Sequence, residues 1–172
     1  MKSYLLAILL GITTLLASSF AQGQTPQPAE HPLLKAITGR WIGDGVLKTR
    51  DGGDLEVHEE WVAAAEEGGG FRFAGTRKLG QETHEFSWLF LLNATSGAYE
   101  CDYEQSGMDQ PMRFEVSITE TRVEVKSPLG GPGSELLITN SLDGNVLNGT
   151  VSHHDASGQE VSSGTVIHRR AE

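Results

Sequence analysis

The chain has 172 residues, with 13 basic against 23 acidic side chains and a net charge of −10 at neutral pH. That balance repels phosphate backbones and anionic lipid surfaces, and so excludes nucleic acid as a partner. A single cysteine, Cys101, excludes an internal disulfide, and its place in a strand marks it as a buried thiol rather than a nucleophile.

The first 21 residues have the pattern of a signal peptide. Lys2 gives a positive start, Tyr4 to Leu16 is almost wholly apolar, and Ser19-Phe20-Ala21 places small residues at a cleavage point. The apolar run is too short to span a bilayer comfortably and is followed by polar Gln22 to Pro28. The expected protein is therefore secreted or periplasmic, with no membrane segment after cleavage and about 150 residues left, enough for one domain. The cleaved chain carries 12 basic and 23 acidic side chains, a net charge of −11. Residues 22–30 are polar and hold two prolines, which predicts a disordered linker before a domain over 31–170.

From His31 to Thr38, Leu33, Leu34 and Ile37 fall at helical spacing and predict one or two short turns plugging a barrel end. Beyond Gly39 turn signals recur every eight to fourteen residues, among them Asp51-Gly-Gly53, Gly68-Gly-Gly70, Gly80, Ser106-Gly107 and Asp143-Gly144. Between the turns lie about ten alternating segments, at 40–50, 54–65, 71–79, 85–92, 98–104, 111–119, 121–127, 134–140, 145–153 and 160–169. Successive hairpins without helices imply an all-β, antiparallel up-and-down barrel, because closing the meander removes its edges.

Alternation assigns the faces. Leu55, Val57, Glu59, Trp61 and Ala63 share one face of the second strand, and Phe71, Phe73, Gly75, Arg77 and Leu79 share one of the third. Phe86, Trp88, Phe90 and Leu92 face inward in the fourth, Tyr99, Cys101 and Tyr103 in the fifth, and Met112, Phe114, Val116 and Ile118 in the sixth. Glu59 and Arg77 are then charges on apolar faces, a break in pattern of the kind that marks function.

The loop from Glu66 to Gly70 joins Ala65 to Phe71, which sets Glu59 opposite Arg77 and Trp61 opposite Gly75. Matching inward faces next places Trp88 opposite Arg77, Tyr103 opposite Trp88, and Met112 opposite Tyr103. On the other side Gly45 falls opposite Glu59 and Gly43 opposite Trp61. The expected lumen stripe is Glu59, Arg77, Trp88 and Tyr103, with Arg77 stacked on the Trp88 indole. Trp61, Tyr99, Met112 and Phe114 complete the candidate ligand-binding set.

Gly39-Arg40-Trp41, opening the first strand after a short helical segment, resembles the Gly-x-Trp signature of lipocalins and related calycin barrels. The wider stretch from His31-Pro-Leu-Leu to Gly43-Asp-Gly45 resembles uncharacterised bacterial secreted lipocalin-like proteins and, more loosely, the nitrobindin family of ten-stranded haem-binding barrels. The resemblance implies a basic residue of the last strand packed over Trp41, so that Gly39, Trp41 and Arg169 form the structural signature, with Arg170 as the other choice. It also implies a haem-ligating histidine about six residues before the closing His168-Arg169. Ser162 stands there, and His168 comes too late in the strand, so the expected barrel carries no haem or other cofactor.

Other chemistry is sparse. His153-His154-Asp155 leads into the turn at Ser157-Gly158, and adjacent strand residues point to opposite faces, so no metal site is expected. His58 and His84 fall outward or in loops. There is no zinc spacing, phosphate loop or nucleophile elbow. Three functions fit. The first is a secreted barrel binding a small hydrophobic or amphipathic ligand at a Glu59/Arg77 site. The second is an enzyme with Glu59 as general base, its pKa raised by burial against the opposing pull of Arg77. The third is a filled barrel acting as a protein-interaction or inhibitory module. The order favours a binder over an enzyme, and no residue is assigned a catalytic role.

Overall fold

A computed structural model describes residues 25–127 and 133–171. The expected signal peptide and residues 128–132 lie outside them. Ten antiparallel strands form one closed barrel in which every strand pairs with its sequence neighbours and the last returns to the first. They are β1 (Gly39–Lys48), β2 (Asp54–Ala65), β3 (Phe71–Leu79), β4 (Glu82–Leu92), β5 (Tyr99–Gln105), β6 (Met112–Ile118), β7 (Arg122–Ser127), β8 (Glu135–Asp143), β9 (Val146–His154) and β10 (Glu160–Arg170). All ten expected strands are present, and β2 and β3 have the expected bounds.

One end is closed. Helix α1 (Pro32–Ile37) starts with proline at its first position and His31 as cap, whose Nδ1 accepts the Leu33 N–H at 3.3 Å. Leu33, Leu34 and Ile37 are buried against the barrel floor, as their helical spacing requires. The end of the expected linker is not loose. Pro28 is buried in a 3-10 turn, and Tyr99 donates its hydroxyl proton to the Pro26 carbonyl at 2.8 Å. Burying a tyrosine ring at the barrel end requires a partner for its hydroxyl, and the incoming chain supplies it.

Trp41 is fully buried and donates its indole N–H to the Ile37 carbonyl at 2.7 Å. The arginine over its ring is Arg170, at 4.5 Å from guanidinium carbon to ring centroid, and not Arg169. Alternation decides between them: His168 points inward, so Arg170 does too, while Arg169 turns to solvent. Arg170 also donates to the carbonyls of Thr38 and Ala36, tying the end of β10 to the end of α1.

Above this plug the aromatic core runs as a stack. Trp41 lies 5.8 Å from Trp61, Trp61 lies 5.2 Å from Phe73, and Phe73 lies 5.0 Å from Phe90. Across the lumen Trp88 packs on Tyr103 at 4.2 Å and on Phe114 at 5.4 Å. The Cys101 thiol is buried between the two groups, and burial pushes its pKa up, which leaves it inert.

Candidate functional site

Glu59 and Arg77 are directly opposite each other on β2 and β3, as the five-residue loop between those strands predicts. Arg77 Nε donates to Glu59 Oε1 at 2.5 Å. The other carboxylate oxygen, Oε2, lies 2.7 Å from Nε2 of His168 on β10. His168 is 3% exposed and Glu59 6%, so the three side chains form a buried polar group inside an otherwise apolar barrel. Nδ1 of His168 faces the Leu147 carbonyl at 3.3 Å, and the imidazole edge packs on Trp61 at 5.2 Å.

Glycine makes the room for this histidine. Gly43 on β1 pairs with His168 on one side and Glu59 on the other. A Cβ added at Gly43 would lie 2.1 Å from the imidazole Cδ2, an impossible contact. The sequence Gly39-Arg-Trp41-Ile-Gly43 thus opens the barrel with two adjacent inward positions, one filled by an indole and the next left empty for a ring from β10.

Burial alone would push the Glu59 carboxyl up. The hydrogen bond from His168 and the charge of Arg77 outweigh it and hold Glu59 well below the usual carboxylate range. Burial likewise disfavours the Arg77 cation, and the Glu59 charge more than offsets this. The ion pair is therefore charged in the folded protein, with both carboxylate oxygens occupied.

The group borders a cavity of about 180 Å³ that opens toward the end of the barrel away from α1. Trp61, Phe73, Phe86, Trp88 and Phe90 supply aromatic wall, and Asn140 adds a polar group beside His168. Of the side chains expected to bind ligand, Glu59, Arg77, Trp61 and Trp88 meet at this cavity. Tyr103, Met112 and Phe114 pack behind Trp88 in the core, with Tyr103 beside Arg77 and donating its hydroxyl proton to Gln105 at 2.5 Å. Tyr99 belongs to the plugged end, where its ring meets His31 and its hydroxyl meets Pro26.

Two expected registers are corrected. Gly43, not Gly45, is opposite Glu59, and Trp41, not Gly43, is opposite Trp61. On the far side His84, not Trp88, is opposite Arg77, and Trp88 pairs with Phe73. Arg77 consequently lies over the Phe86 ring, 4.9 Å from its centroid, and not over Trp88. The cause is turn length. β3 and β4 join through a two-residue turn at Gly80-Gln81, with Gly80 at φ +57°, and β4 starts at Glu82. His84 is therefore a strand residue on the Phe86 and Trp88 face, not a loop residue. The expected pairs Tyr103–Trp88 and Met112–Tyr103 are both present.

His168 is the site residue that the sequence reading missed. Its signal was the alternation of β10, which puts Val166, His168 and Arg170 on one face. The position offers no free nitrogen for haem, since Nε2 is held by Glu59 and Nδ1 faces a carbonyl. Ser162, at the place of the resembled family's histidine, has no imidazole to offer. These residues do not fit an axially ligated haem at either position.

No protein-family model and no characterised protein sequence matches the chain. Solved structures do. Rv2717c from M. tuberculosis superposes with a TM-score of 0.58 at 16% identity, over 82% of this chain and 98% of that one. The S-type phycobiliprotein lyase CPES from Guillardia theta gives 0.55 at 8% identity, over 81% and 90%. A DUF3598-family protein of unknown function from Nostoc punctiforme gives 0.53 at 18% identity, over 83% of this chain and 51% of its own. These likenesses establish a lipocalin-like ten-stranded barrel.

Proposed function

We propose that this chain is an exported binding protein for a small, largely apolar molecule, held in the barrel lumen and oriented by Glu59, Arg77 and His168. The observation that carries this reading is the aromatic-walled cavity of about 180 Å³ bordered by all three polar side chains. Ligand sites are mostly apolar hollows with a few convergent polar groups. A volume near the ~150 Å³ that holds benzene, and below the ~300–1,000 Å³ of drug-sized pockets, favours a one-ring or two-ring molecule over a tetrapyrrole. The shared barrel of a phycobiliprotein lyase supports the fold as a host for small molecules. The apolar N-terminus supports export.

Catalysis by Glu59 is the weaker reading. A general base needs a pKa near the working pH and a free lone pair. Glu59 has a depressed pKa and both oxygens engaged. A filled barrel acting through its loops is disfavoured by the cavity itself.

Native mass spectrometry of the exported protein tests the reading. A co-purified small molecule is expected, and Ile138→Phe, which fills the cavity wall, should lose it while keeping the β-sheet circular dichroism. An empty wild-type protein that also fails to bind any one-ring aromatic by calorimetry would end the proposal.

A further inference from the structure

Arg77 is only partly used by its ion pair. Its Nε carries the bond to Glu59, and the Tyr103 hydroxyl accepts from the guanidinium, which leaves further N–H groups of its five unused. The described side chains leave no buried nitrogen or oxygen without a partner, so a guanidinium nitrogen that lacks one is not sealed from solvent. Arg77 lines the cavity, and its side chain keeps 23% of its surface exposed.

The neighbours hold the guanidinium in place. Glu59 anchors it from β2, the Phe86 ring lies under its plane, and Tyr103 stands beside it. Glu59 is itself held by His168, so it does not swing away to take the remaining guanidinium donors. A fixed guanidinium with N–H groups left over on its outer nitrogens presents donors that match a carboxylate or other planar oxyanion. Around it the wall is aromatic, with Trp61, Phe73, Trp88 and Phe90 within the same cavity.

We infer that the ligand class is a small aromatic or apolar monoanion, whose oxyanion is taken by the Nη N–H groups of Arg77 that Tyr103 leaves free and whose ring lies against the lumen aromatics. This rests on the proposed lumen-binding function and adds the charge and the orientation of the ligand. Glu59 then serves as a positioning residue: it aims Arg77 and does not touch the anion. Asn140, whose carboxamide borders the cavity beside Gly149 and His168, offers a second polar contact to a ligand that carries a hydroxyl or carbonyl group.

A matched pair of probes tests this. Phenylacetate and phenylacetamide have nearly the same size and shape, and at neutral pH only the first is charged. Titration into the wild-type protein, read by calorimetry and by the fluorescence of the lumen tryptophans, should show phenylacetate binding at least tenfold more tightly. Arg77→Gln should reduce that preference to within about twofold. Glu59→Gln should weaken phenylacetate through loss of the anchor and leave a measurable preference for it. If phenylacetamide binds as well as phenylacetate or better, the anion assignment is wrong, while lumen binding stands. If neither probe binds, the anion assignment is wrong, and the mass spectrometry of the exported protein decides lumen binding. The wild-type comparison needs no variant, so the outcome does not depend on Arg77→Gln folding.

Discussion

Two basic side chains lie two residues apart on the inward face of β10, and they do different work. Arg170 covers Trp41 and donates to carbonyls at the end of α1, at the rim of the plugged end. His168 lies deeper, over Gly43, and meets a carboxylate. The facing positions on β1 set the difference. An indole at 41 leaves only a surface on which a cation can lie, and the absent side chain at 43 leaves a hole that a ring can enter. One closes the fold and the other builds a polar group inside it, and the same β1–β10 ladder carries both.

The largest effect should come from the closing position. Trp41→Ala removes a fully buried indole and its bond to Ile37, and is expected to cost about 3–5 kcal/mol in urea unfolding. A loss under about 1 kcal/mol would mean that the plug contributes little. Gly43→Ala should cost less, about 1–3 kcal/mol, because the methyl must push His168 out of its place. Its signature is different, however: the Glu59–His168 bond breaks, so the imidazole resonances of His168 should shift while Trp41 stays buried. An unshifted imidazole would contradict the cradle.

Acid should produce the smallest effect, and only in the polar group. Glu59 is depressed when folded, so its contribution is fully present above its unfolded value of 4.5 and fades as pH falls through the lower folded value. Wild-type Tm should therefore drop more steeply than that of Glu59→Gln below about pH 4.5 and run parallel to it above. Parallel curves throughout would show that the carboxylate is not held by its partners.

The sequence made the barrel plain, and the reason is the strict alternation of strands such as β5 and β6 together with turn residues between them. Alternation also exposed Glu59 and Arg77, because each is a charge among large apolar neighbours. It could not fix the remaining registers. A shift by two residues keeps every inward face inward, so only turn length separates Gly43 from Gly45 as the partner of Glu59. The two-residue turn at Gly80-Gln81 carries none of the usual Asn-Gly or Asp-Gly marks, and a longer loop was expected in its place. His168 was hidden for another reason. On β10 the inward face holds Ser162 and Gly164, and the outward face holds the 44% exposed Ile167, so hydrophobicity points the wrong way.

The bond between Glu59 and His168 joins residues 109 positions apart along the chain. A ribosome must release everything through β10 before that contact exists, and β10 must dock on β1 before the cavity has a wall. The cavity therefore forms all at once, at ring closure, and a molecule that occupies it should act on the final step of refolding alone. Loss of the end of β10 would remove His168 and Arg170 together, and with them both the lumen group and the latch.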